Sequence, residues 1–127
     1  MSARRPEIEP GPVEAPVLAR AAVRAGDSLK MTAKMLAAVI GVSEATVSRM
    51  RKGEFAPQRG TKPFELAVLF VRFFRSLDAI VGGDETVARA WLKNANTALG
   101  GPPAEKIVTV SGLVDAIAYL DARRAPL

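Results

Sequence analysis

The chain has 127 residues, of which 49% are hydrophobic and 24% charged, and a net charge of +5. That is enough for one ordinary globular domain, or for a small module with a second helical layer built onto it. There is no cysteine and no histidine, which excludes disulfides, thiolate metal sites, a cysteine nucleophile and the usual histidine base or zinc ligand.

Catalysis would then fall to carboxylates, and no two acidic residues are convincingly paired. A chain that is not an enzyme is expected, with no metal, cofactor or small-molecule substrate. Arg4 and Arg5 are followed by Pro6 and Glu7 rather than by an apolar run, so no secretory signal is read. The most apolar stretch, Phe64 to Val81, is broken by Glu65, Arg72, Arg75 and Asp78. A spanning helix needs roughly 20 residues nearly free of charge. A cytoplasmic protein without membrane contact is the expectation.

Residues 1–12 hold three prolines, a glycine and mixed charge, the composition of a disordered arm. Val13, Val17, Leu18, Ala21 and Ala22 have the spacing of a first helix that Gly26 would end. Thr32 is placed to cap a second helix whose buried stripe is Met35, Leu36, Val39 and Ile40. Small Ala37, turn-forming Gly41, apolar Val42 and capping Ser43 follow in order. Val47 and Met50 then turn one face of a third helix back onto Leu36 and Ile40. This is the spacing of a helix-turn-helix, whose second helix is shaped to enter the major groove of DNA.

The charge is placed to match. Residues 1–62 carry 11 Lys/Arg against 6 Asp/Glu, while residues 63–127 carry 7 of each. The whole excess lies in the half containing the motif, and Arg49, Arg51, Lys52, Arg59 and Lys62 cluster just past its second helix. Phosphate contacts with counterion release need such a cluster. Thr32, Ser43, Glu44, Thr46, Ser48, Arg49, Arg51 and Lys52 are the candidate DNA contacts, with Glu44, Thr46, Ser48 and Arg49 expected on the exposed face. Residues 13–62 form the DNA-binding region and residues 63–127 a second helical region.

Pro63 suits the first turn of a fourth helix. Apolar residues from Phe64 to Ile80 cover more than one face, so this helix is either a central core helix or a dimer interface. Phe70, Phe73 and Phe74 are the candidates for contact in a homodimer. Gly82 and Gly83 stop it, and Asp84 caps the next helix, with Val87, Trp91, Leu92 and Ala95 as its inward stripe. Leu99-Gly100-Gly101 reads as a helix stop. Pro102 and Pro103 begin a short helix with Ile107 and Val108 facing inward. After Gly112, a closing helix carries Leu113, Val114, Ile117, Ala118 and Leu120. No strand of useful length is read, since Ile107 to Val110 is too short to outweigh its flanks. Neither Gly-Gly pair has a phosphate-loop pattern. The fold class is all-α: a helix-turn-helix bundle continuous with a C-terminal helical region.

Trp91-Leu92, Asn94, Asn96, Leu99-Gly100-Gly101, Pro103 and Gly112 with its closing amphipathic helix resemble the toxin-binding domain of the Xre/MbcA/ParS antitoxins. The resemblance runs from about Lys30 to Leu120. Ala95 departs from it, standing where a proline is common. The resemblance implies an antitoxin of a type II module that neutralises a RES-type, NAD-consuming toxin and represses its own operon by binding operator DNA. By this analogy Asp115 to Leu127 dock at the mouth of the toxin's active site, with Asp121, Arg123, Arg124 and Leu127 as contacts, and the NAD chemistry is the toxin's. Two other readings stay open. One is a helix-turn-helix repressor with a C-terminal effector or dimerisation domain and no toxin; the other is an inhibitor that uses the helix-turn-helix only as a scaffold.

Overall fold

Short polar side chains start most of the helices. In the computed structural model, which describes residues 14–124, Thr32 Oγ1 accepts from the Met35 N–H at 3.0 Å, Ser43 Oγ from Thr46 at 3.0 Å and Asp84 Oδ1 from Val87 at 3.1 Å. Thr61 Oγ1 does the same for Phe64 at 3.4 Å. Each such cap satisfies an otherwise orphaned N–H and contributes about 1 kcal/mol. The helices are α1 (Ala15–Ser28), α2 (Ala33–Ile40), α3 (Glu44–Arg51), α4 (Lys62–Ile80), α5 (Glu85–Lys93), α6 (Pro103–Lys106) and α7 (Val110–Arg124). The described residues contain no strand. The expected arm at residues 1–12, and Val13, lie outside the described residues.

α1 corrects the expected boundary. Gly26 does not end it but lies buried inside its last turn, where an added Cβ would stand 3.1 Å from Leu36 Cδ2. The glycine was a packing signal: it leaves room for the Leu36 side chain of α2. The stop comes four residues later, where Lys30 adopts φ +54. The Met31 N–H then reaches back to the Gly26 carbonyl at 2.9 Å, and the Lys30 N–H to that of Asp27 at 3.0 Å. This closes a six-residue loop at the helix end. Gly41, at φ +75, ends α2 as read, in the left-handed region that glycine enters without Cβ strain.

α4 is the central helix. It touches α1, α2, α5 and α7, and its Phe70, Phe73 and Leu77 are fully buried. They join Leu36 and Ile40 from α2, Val47 from α3, Ile107, and Leu113 and Leu120 from α7 in one continuous core. Burying a side chain of this size is worth roughly 2–3 kcal/mol, so α4 supplies much of the apolar burial that holds the fold together. The alternative assignment of this helix to a dimer surface is corrected for Phe70 and Phe73: a single chain already excludes both from solvent.

Several expected stripes are rotated. On α1, Leu18 and Ala22 are buried, while Val17 is 46% exposed. On α5, Ala88 and Leu92 are buried instead of Val87 and Ala95, and Trp91 is half-buried. Val108, Val114 and Ala118 also face outward. α5 ends at Lys93, earlier than Leu99-Gly100-Gly101 suggested. That segment forms a separate closed turn, in which Asn96 N–H donates to the Gly101 carbonyl at 3.2 Å and Gly101 N–H returns to Asn96 at 3.1 Å.

Candidate functional site

Two surfaces gather the residues singled out by sequence. The first is built on α3. Its inner face, Val47 and Met50, is buried against α2 and α1, with Ala37 at the close crossing. That leaves Glu44, Ala45, Ser48 and Arg49 exposed, with Arg51 and Lys52 exposed at its end.

Thr46 departs from the expected outward face. It is only 9% exposed, and its hydroxyl is used internally. Thr46 Oγ1 lies 2.9 Å from Ser43 Oγ and accepts from Arg49 Nη2 at 3.2 Å. The Arg49 guanidinium also rests over the Phe55 ring, 5.3 Å from its centroid. Arg51 is ion-paired with Asp27 on α1. Thr32 and Ser43 hold the starts of α2 and α3 by the caps already described. Of the eight candidates, Glu44, Ser48, Arg49 and Lys52 therefore present themselves outward most directly. Thr32, Ser43 and Thr46 shape the unit, and Arg51 ties it to α1.

Phe55 and Asp27 were not legible as site residues. Phe55 follows Gly53 in a loop with no periodicity to assign it a face, and Asp27 pairs across 24 residues of sequence. Ala45 was also passed over. Its exposed methyl sits beside Glu44 at the start of α3.

The second surface lies where α7 meets α4. Asp121 on α7 accepts from Ser76 Oγ at 2.7 Å and from Arg72 Nη2 at 2.9 Å, both on α4. Arg124 Nη1 donates to Ser76 Oγ at 3.1 Å and stands 3.9 Å from the Asp121 carboxylate. The hydrogen bond from Ser76, then that from Arg72, holds the Asp121 carboxyl below its ordinary value, against a smaller opposing effect of desolvation. Ser76 is 1% exposed, so its hydroxyl is a fixed point around which the two α7 side chains are set. Beside them a groove of about 760 Å³ runs between α1, α4 and α7, with an apolar floor that includes Val17, Val68 and Val71 and with Arg72, Arg75 and Arg124 on its walls.

Farther round α7, the Arg123 guanidinium lies 4.7 Å from the Tyr119 ring centroid. Tyr119 neighbours Trp91 at 6.4 Å, and Trp91 neighbours Phe73 at 6.1 Å. A ring ladder thus links an exposed cation to the core. Of the four expected toxin contacts, the structure brings Asp121 and Arg124 into one network and leaves Arg123 exposed on the same helix; Leu127 lies outside the described residues. Phe74 is half-buried, so of the three expected dimer contacts it alone keeps surface to offer. Ser76 and Arg72 were missed because their partner is 45 and 49 residues away, and no local pattern reports it.

No helix of the described residues is long and apolar enough to cross a membrane. Comparison with known families gives two matches. Residues 10–72 match the antitoxin Xre-like helix-turn-helix domain, and residues 76–125 match the antitoxin Xre/MbcA/ParS C-terminal toxin-binding domain. No curated protein matches the chain. The boundary between the two family segments falls inside α4, at residues 73–75. The central helix thus belongs to both halves, and the Asp121 network bridges them.

Proposed function

The chain is an Xre/MbcA/ParS-type antitoxin, and from that premise we propose that it represses its own operon through α3 while blocking a RES-type, NAD-consuming toxin through α7. The family assignment carries a DNA-binding module and a toxin-binding module. The identity of the toxin, the operator and the stoichiometry belong to the proposal.

The observation that carries the DNA half is the exposed cationic end of α3. Ser48, Arg49 and Lys52 stand clear of the core, on a helix capped by Ser43 and backed by Val47 and Met50. Phosphate contacts fix such a helix on the duplex, and short hydroxyls, carboxylate and guanidinium are suited to base edges. A two-fold operator would take two copies, with half-sites about one helical turn apart, so the working form is a homodimer. Its interface draws on apolar surface that one chain leaves open, such as Val17, Val68 and the outer part of Phe74, rather than on Phe70 and Phe73.

The toxin half rests on Arg123 and Arg124, exposed on the last turn of α7, and on Asp121, which is held between Arg124 and the Ser76 and Arg72 of α4. The chain obstructs and does not turn over NAD. Its place is the cytoplasm, where operator and toxin are both found. The metabolite-sensing alternative would use the α1–α4–α7 groove for an effector, and the toxin-binding family match weighs against it.

The test pairs two assays on the purified full chain. Binding to the duplex upstream of its own gene should fall steeply, by a factor of roughly 10³ or more, between about 50 and 200 mM salt if six or more phosphates are neutralised. NAD loss catalysed by the product of the adjacent toxin gene should stop at stoichiometric addition of the chain. A flat salt response with intact inhibition leaves a toxin inhibitor on a helix-turn-helix scaffold. DNA binding without any effect on NAD loss leaves an ordinary repressor.

A further inference from the structure

The two arginines of α3 are held in chemically different ways. Arg51 is ion-paired with Asp27, so part of its charge is already satisfied. Arg49 is gripped from two sides by groups that carry no charge: the Thr46 hydroxyl at 3.2 Å and the face of Phe55 at 5.3 Å. Thr46 is itself held in place by burial and hydrogen bonding. It is 9% exposed, β-branched and therefore stiff at χ1, and its hydroxyl lies 2.9 Å from Ser43 Oγ. Ser43 is in turn fixed by capping α3. A guanidinium has five N–H donors, and the bond to Thr46 uses one. The rest remain on a plane whose orientation is set before any ligand arrives.

A guanidinium fork also fits a phosphate, so it is the place of Arg49 that separates the two: it lies on the exposed face of α3 with Glu44, Ala45 and Ser48, whereas Arg51 and Lys52 stand at the helix end. A fixed guanidinium plane on the exposed face of a recognition helix suits a planar pair of acceptors, and guanine O6 and N7 are the pair that arginine reads in the major groove. Fixing the side chain in advance also lowers the entropy lost on binding. We propose that Arg49 is the specificity-determining residue of the DNA surface, donating to both acceptors of one guanine, with Thr46 and Phe55 as positioning residues that aim it. The inference rests on the DNA-binding reading above and adds the ligand group that its central residue recognises.

The experiment selects bound sequences from a randomised duplex pool with the full chain, and then measures salt slopes on the selected duplex. Wild type should enrich half-sites containing one invariant guanine. Arg49→Ala should flatten the preference at that position alone, costing on the order of 10- to 100-fold in discrimination, with the rest of the motif and the salt slope retained. Thr46→Val should weaken selection at the same base, and Thr46→Ser, which keeps the hydroxyl, should restore it. Phe55→Leu should act like Thr46→Val. A purely structural role for Thr46 would instead lower affinity for every sequence equally and leave the motif intact. The proposal is overturned if Arg49→Ala weakens all duplexes alike and lowers the salt slope by about 1, which is the signature of a phosphate contact, while the DNA-binding reading survives. Wild type that enriches no sequence overturns both.

Discussion

Replacing Gly112 by Ala sets two effects of known size against each other. In a helix, alanine is favoured over glycine by about 1 kcal/mol, and Gly112 lies in the first turns of α7. On propensity alone the variant should be more stable. The structure reverses the sign. A Cβ at this position would lie 1.9 Å from the Lys106 carbonyl oxygen, 2.7 Å from its carbon and 2.9 Å from Thr109 Oγ1. The obstructing atom is backbone. It also accepts from the Thr109 N–H at 3.3 Å and from the Thr109 hydroxyl at 3.3 Å, so it cannot swing aside without opening the α6–α7 turn.

A carbon and an oxygen need more than an ångström of extra separation there. The movement would be passed to Ile107 and Leu113, both at 0% exposure. Overpacking of this kind costs about 1–3 kcal/mol or more, and disturbance of two fully buried residues puts this case at the upper end. After subtracting the propensity gain, Gly112→Ala should be destabilised by about 2 kcal/mol, a Tm loss on the order of 10 °C. Thermal and urea unfolding followed by circular dichroism would measure it. Gly53→Ala is the control: nothing lies within 4 Å, but φ is +75, so the expected cost is only the left-handed strain, about 1–2 kcal/mol. A Gly112→Ala chain as stable as wild type would refute the close approach of α6 and α7.

Three other outcomes follow from the same geometry. Phe73→Ala should lose about 3–5 kcal/mol, by the same amount at low and high protein concentration, because the ring packs within one chain; a loss that tracks dimer dissociation in sedimentation runs would restore it to an interface. Asp121→Asn should change the acid limb of the stability curve. The folded carboxyl titrates below the unfolded value of about 3.9, so its contribution is present above that pH and is lost as pH falls through the lowered folded value. The gap between wild type and Asp121→Asn should therefore close below about pH 4, and a constant gap from pH 7 to pH 3 would remove the Ser76 and Arg72 bonds from the account. Removing Arg51, Asp27 or both in a double-mutant cycle should give a coupling of about 1 kcal/mol or less, as for other solvent-exposed pairs, and a larger coupling would show the pair to be a structural lock.

What the chain order of residues revealed, and what it hid, divides by range. The α2–turn–α3 unit was legible because its constraints are local: Thr32, Gly41 and Ser43 act on neighbours within a few positions, and Val47 and Met50 lie one turn apart. The all-helical class followed from the same periodicities. Gly26 misled because glycine serves both as a helix stop and as a place of close approach, and only the position of Leu36 tells them apart. Val87, Val108 and Val114 misled because apolar type does not fix a face when helices are short and the core is supplied mostly by α4. Phe70 and Phe73 could be placed only once α1, α2, α5 and α7 were seen around them. At the candidate sites, Arg49 was visible from its position on α3, whereas Phe55, Asp27, Arg72 and Ser76 act through tertiary contacts that spacing does not encode. The toxin-binding half was recognised by resemblance; its own residues give amphipathic helices and no chemistry.

The central claim is that two separate surfaces of one chain hold two different macromolecules. It is tested most directly by measuring, side by side, the binding of wild type, Arg49→Ala and Arg123→Glu to the duplex upstream of the chain's own gene and to its toxin partner, sought in the product of a neighbouring gene. Arg49→Ala should bind the duplex on the order of 10- to 100-fold more weakly and keep the toxin, and Arg123→Glu should keep the duplex and lose affinity for the toxin. Parallel loss of both partners in either folded variant, or a wild-type chain that binds neither, would contradict the account.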